Sequence, residues 1–147
     1  MAIYKKILIA LDFQSDNSEI LAKGREIAED NAAEVFLAHV NAPLAIAYAT
    51  DGMNWSDQVV SFEVSIRKES EAHMAKLGKE LNLSSENCII KEGRPSAEIH
   101  AICKDKDIDL VVLGTHGQSG LQLLLGSTAN SVLHGSTCDV LSVRVGK

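Results

Sequence analysis

A chain of 147 residues that is 46% hydrophobic and 23% charged has an ordinary globular composition, and one domain over 1–147 buries about 70% of the surface its unfolded form exposes. The formal net charge of −6 argues against a nucleic-acid binder, which shows a basic face. It leaves room for a local anion site, because backbone N–H groups hold phosphate without lysine.

The start, Met1-Ala2-Ile3-Tyr4-Lys5-Lys6, runs into an apolar stretch too short for a signal sequence or a membrane span. No membrane partner is expected, and the expected compartment is the cytoplasm. Cys88, Cys103 and Cys138 lie far apart, with no C-x-x-C and no histidines at metal spacing. They read as small buried thiols in a reducing compartment, and no metal site is expected.

Ile7-Leu8-Ile9-Ala10-Leu11, ending at Asp12, is a continuous apolar run and predicts a strand buried on both faces. From Ser18 to Ala32, Ile20, Leu21, Gly24, Ile27 and Ala28 recur at helical spacing, with Asp16 or Asn17 as the cap. Glu34 to Val40 predicts a second strand. Asn41 to Asp57 has no clear period and reads as a long surface connection suited to movement.

Gln58 to Leu83 is helical in pattern, and Cys88-Ile89-Ile90 is a short strand. Gly93-Arg94-Pro95-Ser96 opens a helix through Cys103, with the proline at its first position. Asp109 to Leu113 predicts the fourth strand, Ser127 to His134 a short helix stopped by Gly135, and Val140 to Val145 the last strand. Strands alternating with helices imply an α/β fold, a parallel sheet covered on both faces. Ligands of such folds sit beyond the carboxyl ends of the strands, where strand order reverses. With the first strand central and the fourth beside it, that crevice falls between Asp12 and Gly114.

Gly114-Thr115-His116-Gly117 follows the fourth strand, and Gly126-Ser127-Thr128 opens the next helix. Amides at a helix N-terminus offer free donors and about half a positive charge to a phosphate. A plain loop with Ser127 capping its own helix fits the same spacing, so residues alone leave both readings open. No P-loop and no G-x-G-x-x-G after the first strand is present. Ser127, His116 and Asp12 do not suggest a triad, because no G-x-S-x-G elbow surrounds Ser127.

Tyr4-Lys5-Lys6-Ile7-Leu8-Ile9-Ala10-Leu11-Asp12, Gly93-Arg94-Pro95 and Gly114-Thr115-His116-Gly117 with Gly126-Ser127 resemble, in order and along the whole chain, the universal stress protein family. The resemblance implies a single three-layer domain of the adenine-nucleotide alpha-hydrolase-like kind, its five-stranded parallel sheet ordered 3-2-1-4-5. It implies ATP or another adenine nucleotide as ligand, with magnesium admissible on the phosphates. Ala10, Leu11, Asp12 and Val40 would line the adenosine end, and Gly114, Thr115, His116, Gly117, Gly126, Ser127 and Thr128 the phosphate end. The family's nucleotide-binding branch has nine residues between the second glycine and the Gly-Ser pair, whereas eight stand here. The resemblance also implies a homodimer through the edge strand Val140 to Val145.

Nothing in the sequence supplies a water-activating base, a metal cluster or an arginine finger, so no catalytic residue is assigned. A nucleotide sensor or regulatory binding module is the leading expectation. The alternatives are a slow ATPase or adenylyl-transfer enzyme on the same fold, and a partner-binding stress protein that binds no nucleotide.

Overall fold

In the computed structural model, which describes residues 3–13, 16–41, 57–114 and 131–144, strand β1 (Lys6–Leu11) is the central strand of the sheet. Its residues Ile7, Leu8 and Ile9 are all 0% exposed, as an apolar run without polar alternation requires. Helix α1 (Ser18–Asn31), β2 (Glu34–Asn41), α2 (Asp57–Glu80), β3 (Cys88–Glu92), α3 (Pro95–Lys106), β4 (Leu110–Gly114), helical residues 131–135 and β5 (Asp139–Val143) follow. The five strands form one sheet of order β3-β2-β1-β4-β5, parallel throughout.

Side chains alternate across the sheet and build two apolar layers. Ile7, Ile9, Leu11, Leu37, Leu110 and Val112 meet α1 and α2 through Ile20, Ala28 and Met74. Leu8, Phe36, Ala38, Val111 and Leu113 meet α3 and Val132 on the opposite face. The crossover after β1 therefore lies on one face and the helical residues after β4 on the other, so strand order reverses between β1 and β4.

The amino rim of the sheet is fastened by hydrogen bonds. The Asp109 carboxylate accepts from the Lys5 and Lys6 amides at 2.7 and 2.9 Å. The Asn31 side chain accepts from the Ile3 and Tyr4 amides at 2.7 and 3.1 Å. The Tyr4 hydroxyl donates to Asp139 at 2.8 Å, and that bond raises the phenol's pKa. Helix α1 comes so close to β1 that a Cβ on Gly24 would lie 2.6 Å from the Ile9 Cδ1 atom.

Most element boundaries shift by one to three residues from the sequence expectation, Gly135 being itself helical, and three of the shifts have a visible local cause. Helix α2 ends at Glu80 rather than Leu83, because Asn82 takes φ 56° and the Leu83 amide turns back onto the Gly78 carbonyl at 2.8 Å. Helix α3 continues to Lys106, where Asp107 at φ 56° closes it. Strand β5 starts one residue early, at Asp139, whose amide donates to the Asp109 carbonyl, and it ends at Val143. The expected connection from Asn41 to Asp57 falls, at 42–56, outside the described residues.

Candidate functional site

The carboxyl ends of β1, β2 and β4 converge at the reversal point. Ile9 is in register with Val112, so Leu11 and Gly114 end neighbouring strands side by side. Gly114 is buried. Ala10 and Val40 point to the α3 face, where both pack against the Leu8–Phe36 layer, while Leu11 points to the α1 face. Ala10, Leu11, Asp12, Val40 and Gly114 thus gather along one rim, and Asp12 is the first residue beyond β1. Thr115, His116, Gly117, Gly126, Ser127 and Thr128 lie outside the described residues.

The chain around Asp12 is held from three elements. Asn17, 8% exposed, sits at the N-cap position of α1 but makes no side-chain cap there. Its amide instead grips the Asp12 backbone, with Oδ1 accepting from the Asp12 amide at 3.2 Å and Nδ2 donating to the Asp12 carbonyl at 2.8 Å. Asp16 serves the first turn of α1, its carboxylate accepting from the Ser18 amide at 2.9 Å. That bond holds the Asp16 carboxyl below its ordinary pKa.

From β2, the His39 Nδ1 atom lies 3.0 Å from the Leu11 carbonyl oxygen, so Nδ1–H donates there. His39 Nε2 lies 2.8 Å from the Asn41 side-chain amide, which is also 3.3 Å from the Ser70 hydroxyl on α2. A neutral ring with its proton on Nδ1 needs a donor at Nε2, and the Asn41 NH2 group supplies it when that amide is turned over. Turning it also pairs the Asn41 nitrogen, which in the opposite orientation is buried without a partner.

Phe13, the residue after Asp12, is sandwiched between two imidazoles. Its ring centroid is 4.3 Å from that of His39 and 4.2 Å from that of His73 on α2, at interplanar angles of 23° and 22°. Stacked rings and a backbone amide clamp leave the Leu11–Asp12–Phe13 segment few alternatives. This fixes the Asp12 backbone at the end of β1, beside Gly114. Sequence reasoning passed over His39, His73, Phe13 and Asn17 as site-building residues. The readable signal was period: His39 shares the buried face of Leu37, where a polar side chain must find partners.

At the outer edge of the rim, Gly93 adopts φ 145° and its amide donates to the Asn41 carbonyl at 3.0 Å. Only glycine enters that backbone region without strain. Next to it, Arg67 of α2 forms a bidentate pair with Glu92 at 2.7 and 2.8 Å. Among the described residues no group of three or more His, Cys, Asp or Glu is placed to hold a metal ion. None of their helices is long and apolar enough to cross a membrane.

The family model for universal stress proteins matches residues 3–144. The chain belongs to the universal stress protein family. Universal stress protein A homolog 2 of Coxiella burnetii is 36% identical over 143 residues, covering 97% of this chain and 96% of that one. Universal stress protein MJ0577 of Methanocaldococcus jannaschii is 31% identical over 156 residues, covering 97% and 96%. The solved structure of MJ0577 superposes with a TM-score of 0.75 over 99% of both chains, at 27% identity. A universal stress protein solved in complex with cAMP shares the fold, with a TM-score of 0.60 at 20% identity over 97% of this chain and 98% of that one.

Proposed function

We propose that this universal stress protein binds an adenine nucleotide in the crevice between β1 and β4 and acts as a sensor or regulatory binding module. The observation that carries the reading is the rigid Leu11–Asp12–Phe13 segment set directly beside Gly114 at the reversal of strand order. Ala10 and Val40 offer small apolar walls on one face, the Asp12 carboxylate offers an acceptor for ribose hydroxyls, and the Gly114 backbone admits close approach. The neighbour solved with cAMP is a protein of this fold that holds an adenine nucleotide.

ATP is the ligand of choice. Thr115, His116 and Gly117, with Gly126, Ser127 and Thr128, supply its phosphate seat. Magnesium would accompany the phosphates and offset their charge. In this reading the bound nucleotide is retained rather than turned over, in keeping with a sequence that offers no evident water-activating base or arginine finger. The protein works in the cytoplasm as a homodimer joined through its last strand, taken from the sequence as Val140 to Val145. Mass spectrometry of small molecules released on denaturing the purified protein tests the reading. An adenine nucleotide near one per chain is expected, and a chain that carries none and gains none on incubation with ATP overturns it.

The spacing of eight residues between Gly117 and Gly126 favours one second reading, a stress protein acting through partners alone. A shorter segment moves the Gly126 amides relative to Gly117 and weakens the seat they share.

A further inference from the structure

Cys103 and Cys138 are 35 residues apart in sequence, and their sulfurs lie 4.0 Å apart. We propose that these two thiols form a reversible disulfide site, oxidised by a peroxide of the hydrogen peroxide class.

Cys103 stands in the last turn of α3, where its carbonyl accepts from the Ile108 amide at 3.0 Å, so its backbone is fixed. Cys138 stands just before β5, with its amide donating to the Ser136 hydroxyl at 3.2 Å. Both side chains belong to the same apolar layer under the sheet. Closing the bond needs the sulfurs to approach by about 2 Å, from contact to a bond length of about 2.05 Å. Cys138 is half-buried and can meet a small oxidant, whereas Cys103 is 5% exposed.

The chemistry divides accordingly. The Cys138 thiolate attacks one peroxide oxygen, the O–O bond breaks, and a sulfenic acid forms as hydroxide leaves and is protonated to water. The Cys103 sulfur, losing its proton, then attacks the Cys138 sulfur. The S–O bond breaks, the S–S bond forms and a second water leaves. Two electrons pass from the thiol pair to the peroxide. The Ser136 hydroxyl, which donates to the Cys138 carbonyl at 2.6 Å, lies 3.6 Å from the Cys138 sulfur, within reach of the reacting atom. The same pocket disfavours the Cys103 thiolate, because burial, then the neighbouring Cys138 sulfur, raise its pKa to about 12.

The third free cysteine, Cys88, is an internal control. It packs in the other apolar layer, its sulfur only 2.7 Å from where a Cβ on Gly78 would stand. The bond would fasten the last turn of α3 to the entry of β5. Elsewhere on α3 the His100 ring already reaches the helical residues 131–135, its Nε2–H donating to the Val132 carbonyl at 2.9 Å.

The test treats the full native chain with hydrogen peroxide, alkylates it under denaturing conditions and maps the peptides by mass. The expected product is a monomeric chain about 2 Da lighter before alkylation, in which Cys103 is then found linked to Cys138 and Cys88 alone alkylated, with full reversal by dithiothreitol. Cys88→Ser retains the link and Cys138→Ser abolishes it. Recovery of Cys103 and Cys138 as alkylated thiols while Cys88 is oxidised overturns the proposal. So does Cys138 advancing to sulfinic acid without a link, or a bond found only between chains. The wild-type peptide map decides the question even where a variant folds poorly.

Discussion

Replacing His39 by Phe keeps an aromatic ring against Phe13 but removes the donor that satisfies the Leu11 carbonyl. It also strips the Asn41 amide of its 2.8 Å partner. His39 is 8% exposed and Leu11 6% exposed, so water does not readily replace either bond. Leaving a buried polar group unsatisfied costs about 1–3 kcal/mol. For a domain of this size, that loss lowers the melting temperature by about 3–9 °C, at roughly 3 °C per kcal/mol. Urea unfolding read by circular dichroism is the assay, with the midpoint falling and the slope unchanged. His39→Ala also loses the ring stack and falls further, by an additional 0.5–1.5 kcal/mol or about that. A loss below about 0.5 kcal/mol for His39→Phe, the scale of a neutral surface change, would refute the claim that this histidine holds the end of β1.

Gly24→Ala sets a helix-propensity gain of about 1 kcal/mol against overpacking of about 1–3 kcal/mol where the new Cβ meets Ile9. A net loss is expected because Ile9 is fully buried, and adding Ile9→Val should recover most of it; a stabilised single variant would contradict the close packing of α1 on β1. The Cys103 thiol, pushed up to about 12 first by burial and then by the Cys138 sulfur, stabilises the fold fully below the ordinary thiol range. That contribution fades as pH rises from about 9 towards about 12, by up to about 1.4 kcal/mol per pH unit. Cys103→Ala should remove this part of the alkaline slope, and an identical pH profile for both proteins would contradict it. The Arg67–Glu92 pair is 49% and 38% exposed, so Arg67→Ala should cost less than about 1 kcal/mol, with the difference shrinking in 1 M salt. A larger, salt-insensitive loss in chemical denaturation would show that the pair is not surface-like.

Much of the fold was legible because its signals are local. Ile7-Leu8-Ile9 has no polar alternation, and such a run must be covered on both faces. Pro95 marks the first turn of α3. Strand order was a different matter: periodicity predicted parallel strands, and the order 3-2-1-4-5 came from the family resemblance. Helix ends were misplaced where a left-handed residue such as Asn82 or Asp107 stops the helix, because neither carries glycine's sequence signal. At the site, Asp12 and Gly114 could be placed because each stands where an apolar strand run stops. The residues that hold Asp12 could not, since His39 reaches Leu11 across 28 positions and His73 meets Phe13 only after α2 packs. Asn17 was legible as a cap, but its amide grips Asp12 instead, leaving Asp16 to serve the first turn of α1. The contact between Cys103 and Cys138 had no sequence signal either, since only folding brings α3 to the start of β5.

The measurement closest to the central claim is the melting temperature of the purified, ligand-stripped chain with and without ATP, alongside Gly117→Leu. At about 100 times its dissociation constant, ATP should stabilise the wild type by about 2.7 kcal/mol, a rise of roughly 8 °C. The bulky side chain at position 117 should abolish that rise while leaving the unliganded melt in place. A flat wild-type response would contradict nucleotide binding, and an undiminished rise in Gly117→Leu would place the phosphates away from the glycine loop.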